Sequence, residues 1–343
     1  MNRESLKLIG KIAIPILIGI AVVAWLFGNE FNLSDIKQIE FTSTTAIGLG
    51  TALLFTFGRD FGMAWRFRSL TDEKLRWKAA AKVTMLCEFT STITPTSAGG
   101  SALSMIFICR EGISLGRSTA ITVCTLFLDE LFFVIFFPLL FLLVDSSTLF
   151  GFTDGAGAHK LQVAFWIVYG ILVIITAALF LGLFFIPNKI ANGLVKMFSI
   201  KLLRRWRKNV IELGENLIET SNQLRHKSAK WWIKPVSATI ITWLSRFLVV
   251  NALFFAFFPD SNPLIIFARQ LVVWALLLFM PTPGGSGLSE VLFKTYYSDI
   301  VTGPLMMILA ITWRILTYYI FLLIGFCMIP TFLNLKKIQN KHE

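Results

Sequence analysis

The chain has 343 residues, 55% of them hydrophobic and 15% charged, where an ordinary soluble chain carries about 25% charged residues. Its mean hydropathy is +0.71, and its apolar runs approach the roughly 20 residues needed to cross a bilayer core about 30 Å thick, which excludes a soluble globular enzyme. The net charge of +12 would suggest nucleic acid in a soluble chain. Here no nucleic-acid partner is expected, because Lys and Arg at the ends of apolar runs mark cytoplasmic helix ends and meet anionic lipid.

In chain order, full-length spans are expected at 8–27, 43–65, 118–144, 161–186, 235–258 and 303–330. The first follows Arg3, Lys7 and Lys11. It ends in Leu26-Phe27-Gly28-Asn29-Glu30 with no small-residue cleavage site, so it reads as a retained helix rather than a signal peptide. Two further stretches, 80–110 and 263–299, each hold two apolar arms around a Pro/Gly-rich break. The breaks run Thr94-Pro95-Thr96-Ser97-Ala98-Gly99-Gly100-Ser101 and Pro281-Thr282-Pro283-Gly284-Gly285-Ser286-Gly287.

Charge sets the expected topology. Arg66, Arg68, Lys74, Arg76, Lys78 and Lys82 crowd one segment; 188–234 has eleven basic residues against three acidic; Lys336, Lys337 and Lys341 mark the tail. All three read as cytoplasmic, as do both termini. Two full spans already join the first segment to the second, so 80–110 crosses an even number of times. Its arms are too short for two crossings, and the same holds for 263–299. Both therefore read as re-entrant hairpins, and backbone broken at membrane depth implies a protein-lined cavity.

The expected fold class is an all-α polytopic membrane protein with about six full spans and two re-entrant hairpins in an inverted repeat. Spacing supports the repeat: Gly100 to Asp129 and Gly285 to Arg314 are both 29 residues. Asp60 and Arg246 lie 40 and 39 residues before the respective glycines. The expected organisation is 1–42 as a first helix and outside loop, 43–187 as the first half, 188–234 as a basic amphipathic linker, and 235–343 as the second half.

Arg246, Arg314 and Asp129, with Glu130 beside it, lie about 11 residues into their spans, roughly 16 Å deep at 1.5 Å per residue. Exposed to lipid, each would cost about 3 kcal/mol or more. Arg presents a planar fork that suits phosphate, and the carboxylates would balance it, hold an amine or carry a proton. The bland alternative is a buried ion pair that only locks helices. Glu88, Arg269 and Glu290 sit in hairpin arms and join the candidate substrate-binding set, Glu290 with a helix-start role as its alternative. Pro95, Gly99, Gly100, Pro281, Pro283, Gly284, Gly285 and Gly287 are the expected hairpin-turn residues. Arg59, six residues before Trp65, is expected to snorkel to the cytoplasmic surface. Arg59 and Asp60, as neighbours on a helix, are not expected to face each other.

The two hairpins resemble those of the lysylphosphatidylglycerol synthase transmembrane-region family. Pro281-Thr282-Pro283-Gly284-Gly285-Ser286-Gly287-Leu288-Ser289-Glu290 is similar to its P-x-P-G-G-x-G-x-x-E element. Thr94-Pro95 to Gly99-Gly100, followed by Glu111-Gly112-Ile113-Ser114, is similar to its first hairpin and following turn. Full-length synthases of that family carry a soluble aminoacyl-transferase domain after the membrane part, and none is expected here. The resemblance implies the membrane part's role: moving a lipid with a charged headgroup between leaflets.

Four cysteines (Cys87, Cys109, Cys124 and Cys327) form no C-x-x-C pair and lie near no histidine, so neither a metal site nor a disulfide framework is expected. No catalytic motif appears, so the expectation is a non-enzyme without cofactors. Its expected partners are membrane lipids and an anionic lipid surface, in a bacterial cytoplasmic membrane, with oligomeric state left open and a homodimer among the options. The expected substrate is a phospholipid or a polyprenyl-phosphate carrier. The alternatives are an accessory subunit of an envelope-assembly enzyme, an intramembrane headgroup transferase and a small-solute transporter.

Overall fold

The computed structural model describes residues 41–94, 99–150, 156–197, 199, 207–278, 285, 287–301, 303–325 and 327–328. Among them every regular element is helical. The expected span at 8–27, both termini, and the turn residues Pro95, Pro281, Pro283 and Gly284 lie outside the described residues.

Helix α1 (Ser43–Leu70) leads to the short arms α2 (Trp77–Ile93) and α3 (Gly99–Arg110), then to α4 (Leu115–Leu143). A one-turn α5 (Ser146–Phe150) precedes α6 (Ala156–Phe184). The linker folds as α7 (Pro187–Met197) and α8 (Arg207–Leu224). The second half runs α9 (Ala229–Phe257), arms α10 (Pro263–Leu278) and α11 (Leu288–Tyr297), and α12 from Pro304 to Gly325.

Local sequence sets these ends. Thr42 Oγ1 accepts the Thr45 N–H at 3.3 Å, and Ser228 Oγ accepts Trp231 N–H at 3.3 Å, each satisfying an orphan donor of a first turn. Asn262 Oδ1 accepts the Leu264 N–H at 3.0 Å just before α10, which opens on Pro263. Gly303, at φ +68°, performs the same junction ahead of Pro304.

Among the described residues four helices are long and apolar enough to cross a membrane: Leu115–Leu143, His159–Phe184, Ala229–Phe257 and Pro304–Gly325. Helix α1 has the length but also carries Arg59, Asp60 and Arg66 in its second half. Large apolar side chains such as Leu142, Ile167, Ile174 and Leu323 stand exposed on the outer faces, as lipid-facing surfaces do.

The centre of the fold is an antiparallel pairing of α1 with α9. Thr45 Oγ1 donates to the Ala256 carbonyl at 3.1 Å at one end. Gly62 packs against Ala238 and Thr242 nearer the other, where a Cβ would fall 2.5 Å from Thr242 Oγ1 and 2.9 Å from the Ala238 oxygen. Small residues let the two backbones touch, as in close membrane-helix pairs.

Each of these two helices feeds a hairpin. Lys82 Nζ meets Glu111 Oε1 at 2.6 Å, so α3 returns to the end where α2 began. In the second, Tyr297 donates its hydroxyl proton to the Ile266 carbonyl at 3.1 Å, and Arg269 Nη1 donates to the Tyr296 carbonyl at 2.9 Å. Because α1 and α9 run antiparallel, the hairpin after Leu70 and the one after Phe257 start at opposite ends of the bundle. That is the geometry of an inverted repeat.

The linker is not a free surface helix pair. Val210, Ser221 and Leu224 of α8 are buried. Gly116 at the start of α4 leaves no room for a Cβ beside the Glu219 carboxylate, and Arg225 Nε donates to the Phe184 carbonyl at 2.9 Å. Part of the apolar stripe is thus covered by α4 and α6.

Candidate functional site

Both hairpins reach one cavity of about 120 Å³. Ser91 and Thr92 close it from the end of α2, Leu277 and Gly285 from the second hairpin. Around them stand Arg66 of α1, Asp129 of α4, Trp243 and Arg246 of α9, and Arg314 and Tyr318 of α12. Helices from both halves therefore deliver charge to one place near the middle of the bundle.

The charges are arranged in buried pairs. Arg66 faces Asp129 fork to fork: Nη1 bonds Oδ1, and Nη2 lies 3.3 Å from Oδ2. Trp243 Nε1 donates to the same Oδ1 at 2.6 Å. Arg246 Nη2 donates to Glu88 Oε1 at 2.7 Å, while Arg59 Nη2 lies 3.4 Å from Glu88 Oε2 and 2.9 Å from Asp60 Oδ1. Arg314 Nε lies 2.9 Å from Glu290 Oε1. Four arginines thus meet four carboxylates.

Glu290 serves two purposes at once. Its Oε2 accepts the N–H of Gly287 at 2.8 Å and the Ser289 hydroxyl at 2.8 Å, which fixes the start of α11. Its other oxygen meets Arg314. The helix-start role and the charge-pair role, set against each other in the sequence, are the same contact set. Gly287 at φ +88° and Gly285 at φ +70° supply the left-handed backbone of that turn. Gly100 is needed for a different reason: a Cβ there would collide with the Cys87 carbonyl of the facing arm. Gly99 opens α3.

Helix α12 widens into a π turn, Ile315–Tyr319, immediately after Arg314, with the Ile320 N–H bonded to the Ile315 carbonyl. Such turns re-aim side chains and recur at functional sites. Here Thr317 and Tyr318 of the turn line the cavity, and the Tyr318 ring centroid lies 3.9 Å from the Arg314 guanidinium carbon.

Several expectations need correction. Arg59 does not snorkel; its side chain is 1% exposed and folds back onto its neighbour Asp60, with Phe321 beneath it at 4.1 Å. A long side chain can curl along its own helix, so adjacency did not keep the pair apart. Asp129 does not pair with Arg314; Arg66 takes it. Arg66 was read as part of a basic loop, but α1 continues to Leu70 and buries it. Arg269 is not brought to the cavity. It binds Asp299 at 2.6 and 2.8 Å and the Thr148 carbonyl at 3.1 Å, at the base of its hairpin. Glu130 is half-buried beside Asp129 without lining the cavity. Besides Arg66, the cavity residues absent from the sequence reading include Trp243, Gln270, Trp274, Trp313 and Tyr318. Trp243 sits three residues before Arg246, on one helix face, which was the available signal.

A second, larger cavity of about 380 Å³ lies at the Leu70 end, lined by Asp72, Arg117, Cys124, Leu224, Lys227 and Trp231 among others. Asp72 is its hub. It accepts from Lys227 Nζ at 2.8 Å, Trp231 Nε1 at 2.7 Å and Arg117 Nη2 at 2.6 Å. Partial burial pushes its carboxyl up, but the Lys227 and Trp231 hydrogen bonds and the Lys227 and Arg117 charges outweigh that and hold it below the usual range. Asp72 and Glu73 both have left-handed backbone, at φ 51° and 63°, a conformation uncommon outside glycine.

The comparisons with known proteins agree with this architecture. The family model described as the lysylphosphatidylglycerol synthase TM region matches residues 12–325. The chain is 25% identical over 317 residues to a UPF0104 membrane protein of Archaeoglobus fulgidus, covering 89% of this chain and 92% of that one. No solved structure matches it. With the family model spanning nearly all of the helical bundle, both hairpins included, this membrane protein belongs to the lysylphosphatidylglycerol synthase transmembrane-region family.

Proposed function

We propose that the protein moves a lipid with a phosphate-bearing headgroup, a phospholipid or a polyprenyl-phosphate carrier, between the leaflets of a bacterial cytoplasmic membrane. The observation that carries this reading is the meeting of three arginines and residues of both hairpins at one cavity near mid-bundle. Guanidinium forks suit phosphate oxygens, and a site between inverted halves suits alternating access. In this reading the Leu70 end and both termini are cytoplasmic, by the positive-inside rule. The protein acts as a transporter without covalent chemistry or a cofactor.

The test is reconstitution of the full chain in vesicles containing a panel of labelled phospholipids and a polyprenyl phosphate, scored for leaflet exchange. At least one phosphate lipid is expected to exchange faster than in protein-free vesicles. Exchange no faster than that background for every lipid would overturn the reading.

A further inference from the structure

The three arginines at the central cavity are not equivalent. The side chains of Arg66 and Arg314 are 2% and 6% exposed, against 21% for Arg246. Arg66 spends both amino groups on Asp129, which clamps its fork, and only its Nε–H is left buried without a partner. Arg246 spends Nη2 on Glu88, and its Nε–H is buried with no hydrogen-bond partner.

A donor on a side chain adjacent to Arg246 has the same property. Trp274, on the first arm of the second hairpin, has a buried Nε1–H with no partner. Its neighbour Trp243, 5.2 Å away between ring centroids, does not, because its Nε1–H is given to Asp129. The Arg246 guanidinium sits beside both indoles, its carbon 5.1 Å from one ring centroid and 5.2 Å from the other, and the two rings touch each other at 5.2 Å. Buried N–H groups are nearly always paired, and leaving one unpaired is costly. Two unpaired donors, on adjacent side chains from different helices, fit one oxyanion acceptor.

We infer that Arg246 and Trp274 form the anion subsite of the cavity, donating to headgroup phosphate oxygens. Arg66 and Arg314 hold the helices that shape it. This rests on the lipid-transport reading and refines it. Glu88 makes the subsite workable: it lies between Arg246 and Arg59, so when phosphate draws Arg246 away, Glu88 still has a cation beside it. The two neighbouring indole rings hold the guanidinium against one wall of the cavity by cation–π attraction.

The decisive variant is Trp274→Phe, which keeps a ring beside Arg246 and removes only the N–H. Arg246→Lys is the second variant, keeping charge and removing Nε and the fork. Trp166→Phe, at an exposed tryptophan on α6, is the control. The full-length protein in detergent is titrated with short-chain phosphatidylglycerol, a short-chain isoprenyl monophosphate and inorganic phosphate, with thermal melting measured alongside. Leaflet exchange is then measured for each variant in vesicles.

Trp274→Phe is expected to melt like the wild type and to bind its lipid about ten-fold more weakly, the scale of one lost hydrogen bond to a charged group. Arg246→Lys should lose at least as much. Loss confined to the phosphodiester lipid, or to the monophosphate, supports the subsite and identifies its source. Should wild type and both variants bind and exchange lipid alike, the assignment fails while the transport reading stands. Binding of inorganic phosphate alone, weakened by Trp274→Phe, would keep the subsite and overturn the lipid reading. A Trp274→Phe protein too unstable to assay leaves Arg246→Lys to decide, with unchanged affinity overturning the assignment.

Discussion

Glu88 on the first hairpin reaches Arg246 on α9 at 2.7 Å, joining the two halves of the protein across the central cavity. Both groups are held among protein side chains, so the pair is a structural tie as well as part of the cavity wall. Removing one member of a buried pair strands the other, at a cost of about 3–5 kcal/mol. Glu88→Gln should therefore lower the melting temperature of the purified protein by several degrees. The loss is softened by Asp60, which continues to balance Arg59. Wild-type melting would show that the tie contributes nothing to stability.

Arg314→Lys keeps the charge beside Glu290 and removes the planar fork stacked on Tyr318. Glu290 retains its bonds to Gly287 and Ser289, so the start of α11 should survive. The expected result is folded protein with leaflet exchange reduced modestly, less than in Arg246→Lys. A larger loss in Arg314→Lys than in Arg246→Lys, at equal melting temperature, would contradict the division of labour between the arginines.

Gly62→Leu tests the α1–α9 contact. The added side chain must start within 3 Å of the Ala238 carbonyl and Thr242, which cannot be relieved without separating the helices. Expression and melting should both fall sharply. Gly170→Ala on α6, where an added Cβ meets nothing within 4 Å, should be neutral or more stable by up to about 1 kcal/mol. Equal melting of the two variants would mean that the helices are not packed backbone to backbone.

Asp72 ties the ends of α1, α4, α8 and α9 together and lines the same cavity as the buried Cys124. In a background with Cys87 changed to alanine and Cys109 and Cys327 to serine, Asp72→Asn should speed maleimide labelling of Cys124 relative to the unchanged hub. The pH dependence follows from the lowered Asp72 carboxyl. Its contribution is fully present above the ordinary aspartate value of about 3.9 and is lost only as pH falls through the still lower folded value. Labelling should thus be unaffected by this group between about pH 5 and 8. It should rise with salt, because the hub is partly exposed and screened. Equal labelling in Asp72→Asn and its parent would remove the hub from the closure of that end.

Much of the architecture could be read from the chain because it is written in patterns that survive without neighbours. Hydropathy gave the long helices, and the Pro/Gly breaks with equal spacing to Asp129 and Arg314 gave two hairpins in opposed halves. What could not be read was pairing. Asp129 and Arg314 correspond in the repeat, yet each is satisfied by a different residue, because partner choice depends on helix rotation and crossing. Arg66 was hidden by its context: Arg68 and Lys74 made it look like loop, and nothing local marks where α1 stops. Trp274 looked like one more apolar residue in an apolar arm, and only the three-dimensional arrangement separates its unpaired N–H from the engaged one of Trp243.

The contact of α1 with α9 has a mechanical consequence. Where Gly62 meets Thr242 and Gly48 meets Ala256, no side chain stands between the backbones to act as a compressible spacer, so the two helices can neither slide nor twist past one another cheaply. Together they form an axle. The hairpins hang from opposite ends of it on short loops, meeting the rest of the bundle through side-chain contacts that can exchange partners. Rearrangement of the central cavity therefore falls to the hairpins swinging about a fixed shaft, and the distance between spin labels at the exposed Leu54 on α1 and Ile240 on α9 should stay constant whatever lipid is bound.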